Sequence, residues 1–423
     1  MYSKVIIPPG NTYAGDIRIP ASKSMHQRAI LLAALTPNPV EILGRIDAKD
    51  SRSALALIEE MGCVVEEKAD RQIITPLLTP RSQSISVSAG ESALCARMFL
   101  PVLTSLYPNV GMSGTGTLNT RSFSSLIDVL SRAGCNVKHQ DNHFPFQVSG
   151  KLYPGLHLVE GRDSSQVVSG MLIALSLLDK PSELNVSSIR SRPYIDLTID
   201  MMTFAGLHIE EPTRGKFLIP GNQLPKATTY TIEGDWSSAC FHLVGAALSG
   251  SVRIQGLNRY SVQADQRILS VLIQAGAGVE WEGDTLHVYK KELRPFDFDA
   301  TDCPDVFPSL AVLAAGISGT SCIHGVTRLK NKESDRAKAI EHEWRKRGIR
   351  VDIQQDKMLI TGGQAVGGVA ETYGDHRMAM ALTILSQIAT TPLTIENAGV
   401  IEKSYAGFYT DINAIFGKKI KYE

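Results

Sequence analysis

The sequence has no surplus of charge: 43 lysines and arginines face 43 aspartates and glutamates over 423 residues. A protein that coats nucleic acid or an anionic membrane needs a basic excess, so neutrality argues against both while leaving room for a local basic pocket. A basic stretch interleaved with aromatics, on which single strands stack, is also missing. No apolar run approaches the roughly 18 residues of a membrane span. The longest, Ala29 to Leu35 and Met171 to Leu178, suit buried helices. The opening Met-Tyr-Ser-Lys-Val-Ile-Ile-Pro-Pro-Gly lacks the charged-then-apolar layout of a signal peptide. Cysteines are few and scattered, at 63, 95, 135, 240, 303 and 322, with no Cys-x-x-Cys pair. That fits reduced thiols in a cytoplasmic protein better than a disulfide framework or a zinc site. No histidine-rich or carboxylate-rich cluster has metal-ligand spacing, so no metal is expected.

What is present is apolar substance and repetition. Apolar residues make up 43%, enough for sizeable cores, and the length suggests two or three domains of roughly 150 residues. Six segments share a polar or glycine-bearing start followed by a nearly all-apolar helical run. They begin at residues 20, 89, 161, 233, 302 and 373, spaced 69, 72, 72, 69 and 71 apart. Helix-ending glycines at 62, 134, 206, 276 and 348 keep the same beat, each after a helical pattern and before a strand-like stretch. Each unit of about 70 residues reads helix, strand, helix, strand, strand. The first helix is apolar on nearly every face and is expected to be buried all round. The second is amphipathic: Phe123, Leu126, Ile127 and Leu130 follow the helical period, as do Ala337, Ile340 and Trp344. The expected class is α/β, with closed domains rather than an open solenoid, whose repeats are usually shorter.

Helix N-termini present free N–H groups and partial positive charge, which makes them anion sites. Here the apolar-helix starts carry Lys23-Ser24 with Arg28, Arg162 with Ser164-Ser165-Gln166, and His376-Arg377. The second helices add Arg121, Ser191 with Arg192 and Tyr194, and Lys332-Glu333-Ser334-Asp335-Arg336; Lys403-Ser404 follows near the end. Pairing with nearby carboxylates is the bland explanation for any one of them, but it is weaker for the whole recurring set. Asp305 reads first as a helix N-cap. Cys95 and Cys240 read as core packing, and the Ser-Ser pairs at 164–165 and 237–238 as caps, with no Gly-x-Ser-x-Gly elbow to suggest a hydrolase.

These residues also carry a resemblance. Pro20-Ala-Ser-Lys-Ser-Met-His-Gln-Arg28, Ser164-Ser-Gln166, Ser191-Arg-Pro-Tyr-Ile-Asp-Leu-Thr198, Lys332-Glu-Ser-Asp-Arg336, Asp375-His-Arg-Met-Ala-Met380 and Glu402-Lys403-Ser404 occur in this order. The set resembles the 5-enolpyruvylshikimate-3-phosphate synthases, enolpyruvyl transferases, over essentially the whole chain. The resemblance implies a two-domain inside-out α/β barrel of six repeats. Residues 20–232 would form one domain, and 1–19 with 233–423 the other, with the active site in the cleft. It implies transfer of the enolpyruvyl group of phosphoenolpyruvate to the 5-hydroxyl of shikimate 3-phosphate, through a tetrahedral intermediate, by a cytoplasmic monomer without cofactor or metal. Lys23, Ser164, Ser165 and Ser191 would hold the shikimate phosphate; Ser24, Arg28, Gln166, Tyr194, Lys332 and Asp305 would contact the rest of that substrate. Lys23, Arg121, Gln166, Arg336, Arg377 and Lys403 would grip phosphoenolpyruvate, beside Ala93. Asp305 and Glu333 are the candidate general base and acid, with Lys23 or Lys403 assisting.

The sequence departs from the family's Gly-Asn-(Ala/Ser)-Gly-Thr pattern at Gly90-Glu91-Ser92-Ala93-Leu94, and Ser122 replaces the proline usual after the arginine. Ala93 adds a methyl where the family's glycine leaves room beside phosphoenolpyruvate, so bulkier mimics such as glyphosate are expected to be hindered. The nearest rival, the UDP-N-acetylglucosamine enolpyruvyl transferases, has Lys-Asn near the start and a reactive cysteine before the arginine. Here stand Lys23-Ser24 and Gly114-Thr-Gly-Thr-Leu-Asn-Thr-Arg121. A non-catalytic repeat protein binding phosphometabolites is the alternative from another class.

Overall fold

The computed structural model describes residues 3–44, 46–77, 82–161 and 164–423. Six helix pairs follow one another: α1 (Lys23–Ala34) and α2 (Lys49–Glu60), α3 (Ala93–Leu106) and α4 (Ser124–Arg132), α5 (Ser165–Ser176) and α6 (Arg192–Phe204). Then come α7 (Trp236–Ser249) and α8 (Ile268–Ala275), α9 (Phe307–Ala315) and α10 (Arg336–Lys346), α11 (His376–Leu385) and α12 (Phe408–Ile415). The first helix of each pair is buried nearly throughout: every residue of α9 and α11, and all but Gln166 of α5. Such a helix has no wet face to offer, so apolar residues all round are what it requires. The second helix buries one stripe, as Leu126, Ile127, Val129 and Leu130 do in α4.

Start signals in the sequence become caps. Ser92, Ser164, Asp235 and Asp375 each accept a hydrogen bond from a backbone N–H in the first turn of α3, α5, α7 and α11. The helix-ending glycines take left-handed backbone, with φ of +100° at Gly134 and +96° at Gly276.

Among the described residues, six four-stranded sheets cover the buried helices, one per repeat. In the second repeat Ser84–Ser88 runs parallel to Asn109–Ser113, which pairs antiparallel with His143–Ser149, itself antiparallel to Asn136–Gln140. The unit is therefore strand, helix, strand, helix, strand, strand, one strand more than the sequence pattern suggests. The shortest of the missed strands bury a single side chain, as Thr229–Thr231 does around Tyr230 and Asp297–Asp299 around Phe298. That is too little alternation to register as a period.

The chain divides into two compact units. One is residues 22–232; the other comprises the described part of 1–21 together with 233–423. In the first, α1, α3 and α5 are the inner helices. Gly170 of α5 lies so close to α3 that an added Cβ would sit 2.7 Å from the Arg97 carbonyl oxygen. In the second, α7, α9 and α11 pack together, and the N-terminal strands Lys4–Ile7 and Tyr13–Arg18 complete two of its sheets. Each unit is by itself an α/β barrel turned inside out, with helices within and sheets without. Among the described residues no helix is long and apolar enough to cross a membrane.

Candidate functional site

In the unit of residues 22–232, polar side chains gather where the inner helices start. Lys23, the first residue of α1, places Nζ 2.8 Å from Asp50 Oδ2 of α2. Gln27 donates to the Asp50 carbonyl at 2.7 Å and to Ser92 Oγ, the cap of α3, at 2.9 Å, which ties the starts of α1 and α3. Arg28 is 1% exposed and uses three arms on its own protein: Thr198 Oγ1 at 2.7 Å, the Ser24 carbonyl at 2.8 Å and the Tyr194 carbonyl at 3.2 Å. Burial lowers its pKa to about 10. Ser191, ahead of α6, takes a left-handed φ of +53°, which costs a non-glycine residue about 1–3 kcal/mol and fixes how that helix begins.

On the neighbouring helices, Arg97 Nη1 donates to Gln166 Oε1 at 3.1 Å, and its Nη2 reaches the Ser122 carbonyl at 3.4 Å beside Arg121. The Arg97 guanidinium also lies 4.8 Å from the centre of the Phe123 ring. Ala93 is the buried first residue of α3, and Ser164 and Ser165 are buried at the start of α5. Glu91 packs where a Cβ on Gly116 would stand, joining the departed segment to the turn that ends at Arg121. The expected residues of this unit thus fall on connected helix starts, except Arg121, which ends the 3-10 turn Gly116–Thr120, and Arg162, which lies outside the described residues.

The other unit holds a denser cluster. Arg336 opens α10, is 1% exposed, and meets three carboxylates: Asp305 at 2.8 Å, Glu333 at 2.6 Å and Asp375 at 2.8 Å. Arg377 in the first turn of α11 reaches the other oxygen of Asp305 at 3.1 Å, and Lys332 Nζ stands 3.3 Å from Asp305. Burial works against the Asp305 charge, but Arg377, Lys332 and Arg336 outweigh it and hold the carboxyl well below its usual range. Burial lowers Lys332, against the pull of Asp305. Arg377 is raised in spite of burial, chiefly by Asp305. Lys403 is buried at the end of the 3-10 turn Ala398–Lys403, which packs against α11.

Two expectations need correction. Asp305 does not cap α9: that helix starts at Phe307 behind Val306, and the Asp305 carboxylate is spent on cations. Glu333 folds back onto Arg336 and accepts from its Nη2. Finally, a cluster of metal-ligand types does exist: strand register brings Asp297, Cys322 and His324 together, although their chain spacing gives no hint of it. Pairing with a carboxylate does account for Arg192, which binds Glu211 through two bonds of 2.6 Å and Asp196 through a third.

Sequence reasoning missed Asp265. It is 2% exposed, accepts a hydrogen bond from Ser237, and lies near enough to Arg377 and Asp305 to feel both charges. Burial and then Asp305 raise its pKa to about 6. Asp50 and Thr198 were also missed. They partner the basic residues, and nothing in a single sequence marks which carboxylate or hydroxyl a cation will find.

The family model described as EPSP synthase (3-phosphoshikimate 1-carboxyvinyltransferase) matches residues 7–412. A curated relative of that enzyme name from Clostridium novyi (strain NT) is 32% identical over 416 residues, covering 95% of each chain. One from Methanocorpusculum labreanum is 31% identical over 406 residues, covering 95% of this chain and 96% of its own. Among solved structures, an EPSP synthase from Acinetobacter baumannii superposes with a TM-score of 0.83 over all of both chains at 23% identity. The enolpyruvyl transferase NikO from Streptomyces tendae gives 0.78 at 18%, covering 100% of this chain and 99% of its own. At such identities the structural likeness speaks for the fold alone; the sequence matches speak for the family. The chain belongs to the EPSP synthase (3-phosphoshikimate 1-carboxyvinyltransferase) family.

Proposed function

We propose that this chain transfers the enolpyruvyl group of phosphoenolpyruvate to the 5-hydroxyl of shikimate 3-phosphate and releases phosphate, a step towards chorismate and the aromatic amino acids. The observation that carries the reading is the convergence of Arg336, Arg377 and Lys332 on the single half-buried carboxylate of Asp305. Buried cations held in fixed directions suit a substrate that brings both a phosphate and a carboxylate, because guanidinium groups meet such oxygens in pairs.

Arg336, Arg377 and Lys403 grip phosphoenolpyruvate; Lys23, Arg121 and Gln166 are the groups that the unit of residues 22–232 offers to the same substrate. Ser164, Ser165, Ser191 and Lys23 hold the shikimate phosphate; Ser24, Tyr194 and Lys332 contact the same substrate. Arg28 serves it indirectly as well, because two of its arms fix the Ser24 and Tyr194 backbone. In the addition step the substrate hydroxyl bonds to C2 of phosphoenolpyruvate while C3 takes a proton, giving the tetrahedral intermediate. In the elimination step the C2–phosphate bond breaks and the methyl group returns a proton. Asp305 takes the hydroxyl proton once substrate anions relieve it of its cations, and Glu333, held by the other terminal nitrogen of Arg336, supplies the proton to C3. All six cysteines are free thiols, which supports a cytoplasmic setting.

The decisive assay is phosphate release from phosphoenolpyruvate with shikimate 3-phosphate as acceptor, run beside UDP-N-acetylglucosamine. Release with the first alone is expected. Lys23→Ala and Arg336→Ala should each lower kcat/KM by at least about 100-fold, and retention of full activity by either would overturn the assignment. Ala93→Gly should increase inhibition by glyphosate more than it changes the KM for phosphoenolpyruvate. If glyphosate inhibits both proteins alike, the methyl group has no such role.

A further inference from the structure

The C-terminal unit carries a second group of chemically capable side chains, on the outer face of a sheet. Asp297 lies on the edge strand Asp297–Asp299, and Cys322 and His324 lie two residues apart on the neighbouring parallel strand Gly319–His324. Pairing sets Asp297 opposite Cys322. Ser321 and Ile323 are wholly buried, so Cys322 and His324 share the outward face with Asp297. Cys322 Sγ is 3.4 Å from His324 Nε2, and Asp297 Oδ1 is 3.0 Å from the same nitrogen. All three donor atoms lie within 4.8 Å of one another.

This is not the geometry of a proton relay. A relay needs the thiol and the carboxylate on opposite ring nitrogens, whereas here both address Nε2. Three donors converging on one point is the arrangement of a coordination site. With zinc–sulfur and zinc–nitrogen arms of about 2.3 and 2.0 Å, the sulfur–nitrogen edge of a tetrahedron is about 3.5 Å and the nitrogen–oxygen edge about 3.3 Å. The edges found, 3.4 and 3.0 Å, need only slight opening. A thiolate, a carboxylate and a neutral imidazole also balance the charge of a divalent ion.

We propose that Asp297, Cys322 and His324 bind one tetrahedral divalent transition ion of the zinc or cobalt type, with the fourth position open to water. Thiolate and imidazole select such ions over magnesium or calcium, which prefer oxygen ligands throughout. The other mixed group, Glu280, Glu282 and His287, lacks a soft donor, and Glu282 is already paired with Arg253 at 3.1 Å. Lys357 pairs with His324 across the next strand, and its charge moderates the affinity.

The test is a cobalt(II) titration of the full-length, chelator-treated protein followed by optical absorption. One equivalent is expected to produce tetrahedral d–d bands and a thiolate-to-cobalt charge-transfer band, and zinc should displace it. The other five cysteines are buried, so Cys322→Ser should abolish the charge-transfer band. His324→Gln and Asp297→Asn should each weaken binding by at least about 100-fold. Zinc should also slow the reaction of the accessible thiol with a disulfide reagent. Absence of the bands in the parent protein, or their survival in Cys322→Ser with an unchanged urea midpoint, would overturn the proposal.

Discussion

Asp305 stands among Arg336, Arg377 and Lys332, while Glu333 and Asp375 share Arg336, so three cations already face three carboxylates. A substrate anion entering this balanced group must take cations away from a carboxylate. Burial then acts on Asp305 with less opposition and drives its pKa upward. Binding of phosphoenolpyruvate should therefore draw a proton from solvent. Calorimetry at pH 7 in two buffers of different ionisation enthalpy should show fractional proton uptake, lost in Asp305→Asn. Equal heats in both buffers would mean that Asp305 keeps its cations when substrate binds. Asp305 shows how residue-scale legibility fails: the sequence favours a helix cap, because a cap needs only local spacing. Its cationic partners come from positions 332, 336 and 377, which only the packing of α9 against α10 and α11 brings near. For Lys23, Arg336 and Arg377 the place at a helix start was legible, because the polar residues stand just ahead of a helical period.

Inner helices are the elements that the sequence shows best, since a helix apolar on all sides has one home. Their close packing makes small residues critical. At Gly170 a methyl group would meet the Arg97 and Met98 carbonyl oxygens at 2.7 and 2.8 Å, and backbone cannot swing aside as a side chain can. Gly170→Ala should cost about 1–3 kcal/mol in urea unfolding, whereas Gly363→Ala, facing open space, should stay within about 0.5 kcal/mol. Burial in these helices also sets an acid limit. His26 of α1 is lowered to about 4 and His242 of α7 to about 3, in each case by burial. The unfolded chain protonates both near 6.5, so below that pH it binds more protons than the folded chain and stability falls as pH drops towards 4. For His26 alone the loss is about 3 kcal/mol. Asp265, raised to about 6, works in the opposite direction between about 6 and 4, but it is one group against two. Proton resonances of His26 and His242 should not titrate above pH 5; midpoints near 6.5 would refute the account. The short first strands are what the element scale conceals, because Thr-Tyr-Thr and Asp-Phe-Asp take their structure from a parallel neighbour.

A period of about 70 residues is visible along the chain, but a period does not say which repeats share a core; three and three entered through the resemblance. The physical reason lies in the strand exchange at the ends. Thr229–Thr231 returns to pair with Val40–Leu43 and closes the unit of residues 22–232 with its own chain. The other unit closes only by borrowing from the N-terminus. Lys4–Ile7 lies between Leu393–Glu396 and Lys421–Tyr422, and Tyr13–Arg18 runs along Gly250–Gln255. These strands bring Val5, Ile7, Tyr13 and Ile17 into its core. A fragment of residues 22–232 should therefore unfold cooperatively in urea, with dispersed amide resonances. A fragment of 233–423 should not, because it lacks a central strand of one sheet and an edge strand of another. The chain end offers the remedy: the Ser3 amide donates to the Glu423 carbonyl at 2.9 Å, so the two ends are adjacent. Joining residue 423 to residue 3 by an Asn-Gly turn, in a chain of 233–423 followed by 3–21, should restore cooperative unfolding. If 233–423 folds equally well without that extension, the borrowed strands are ornaments to the unit rather than part of its core.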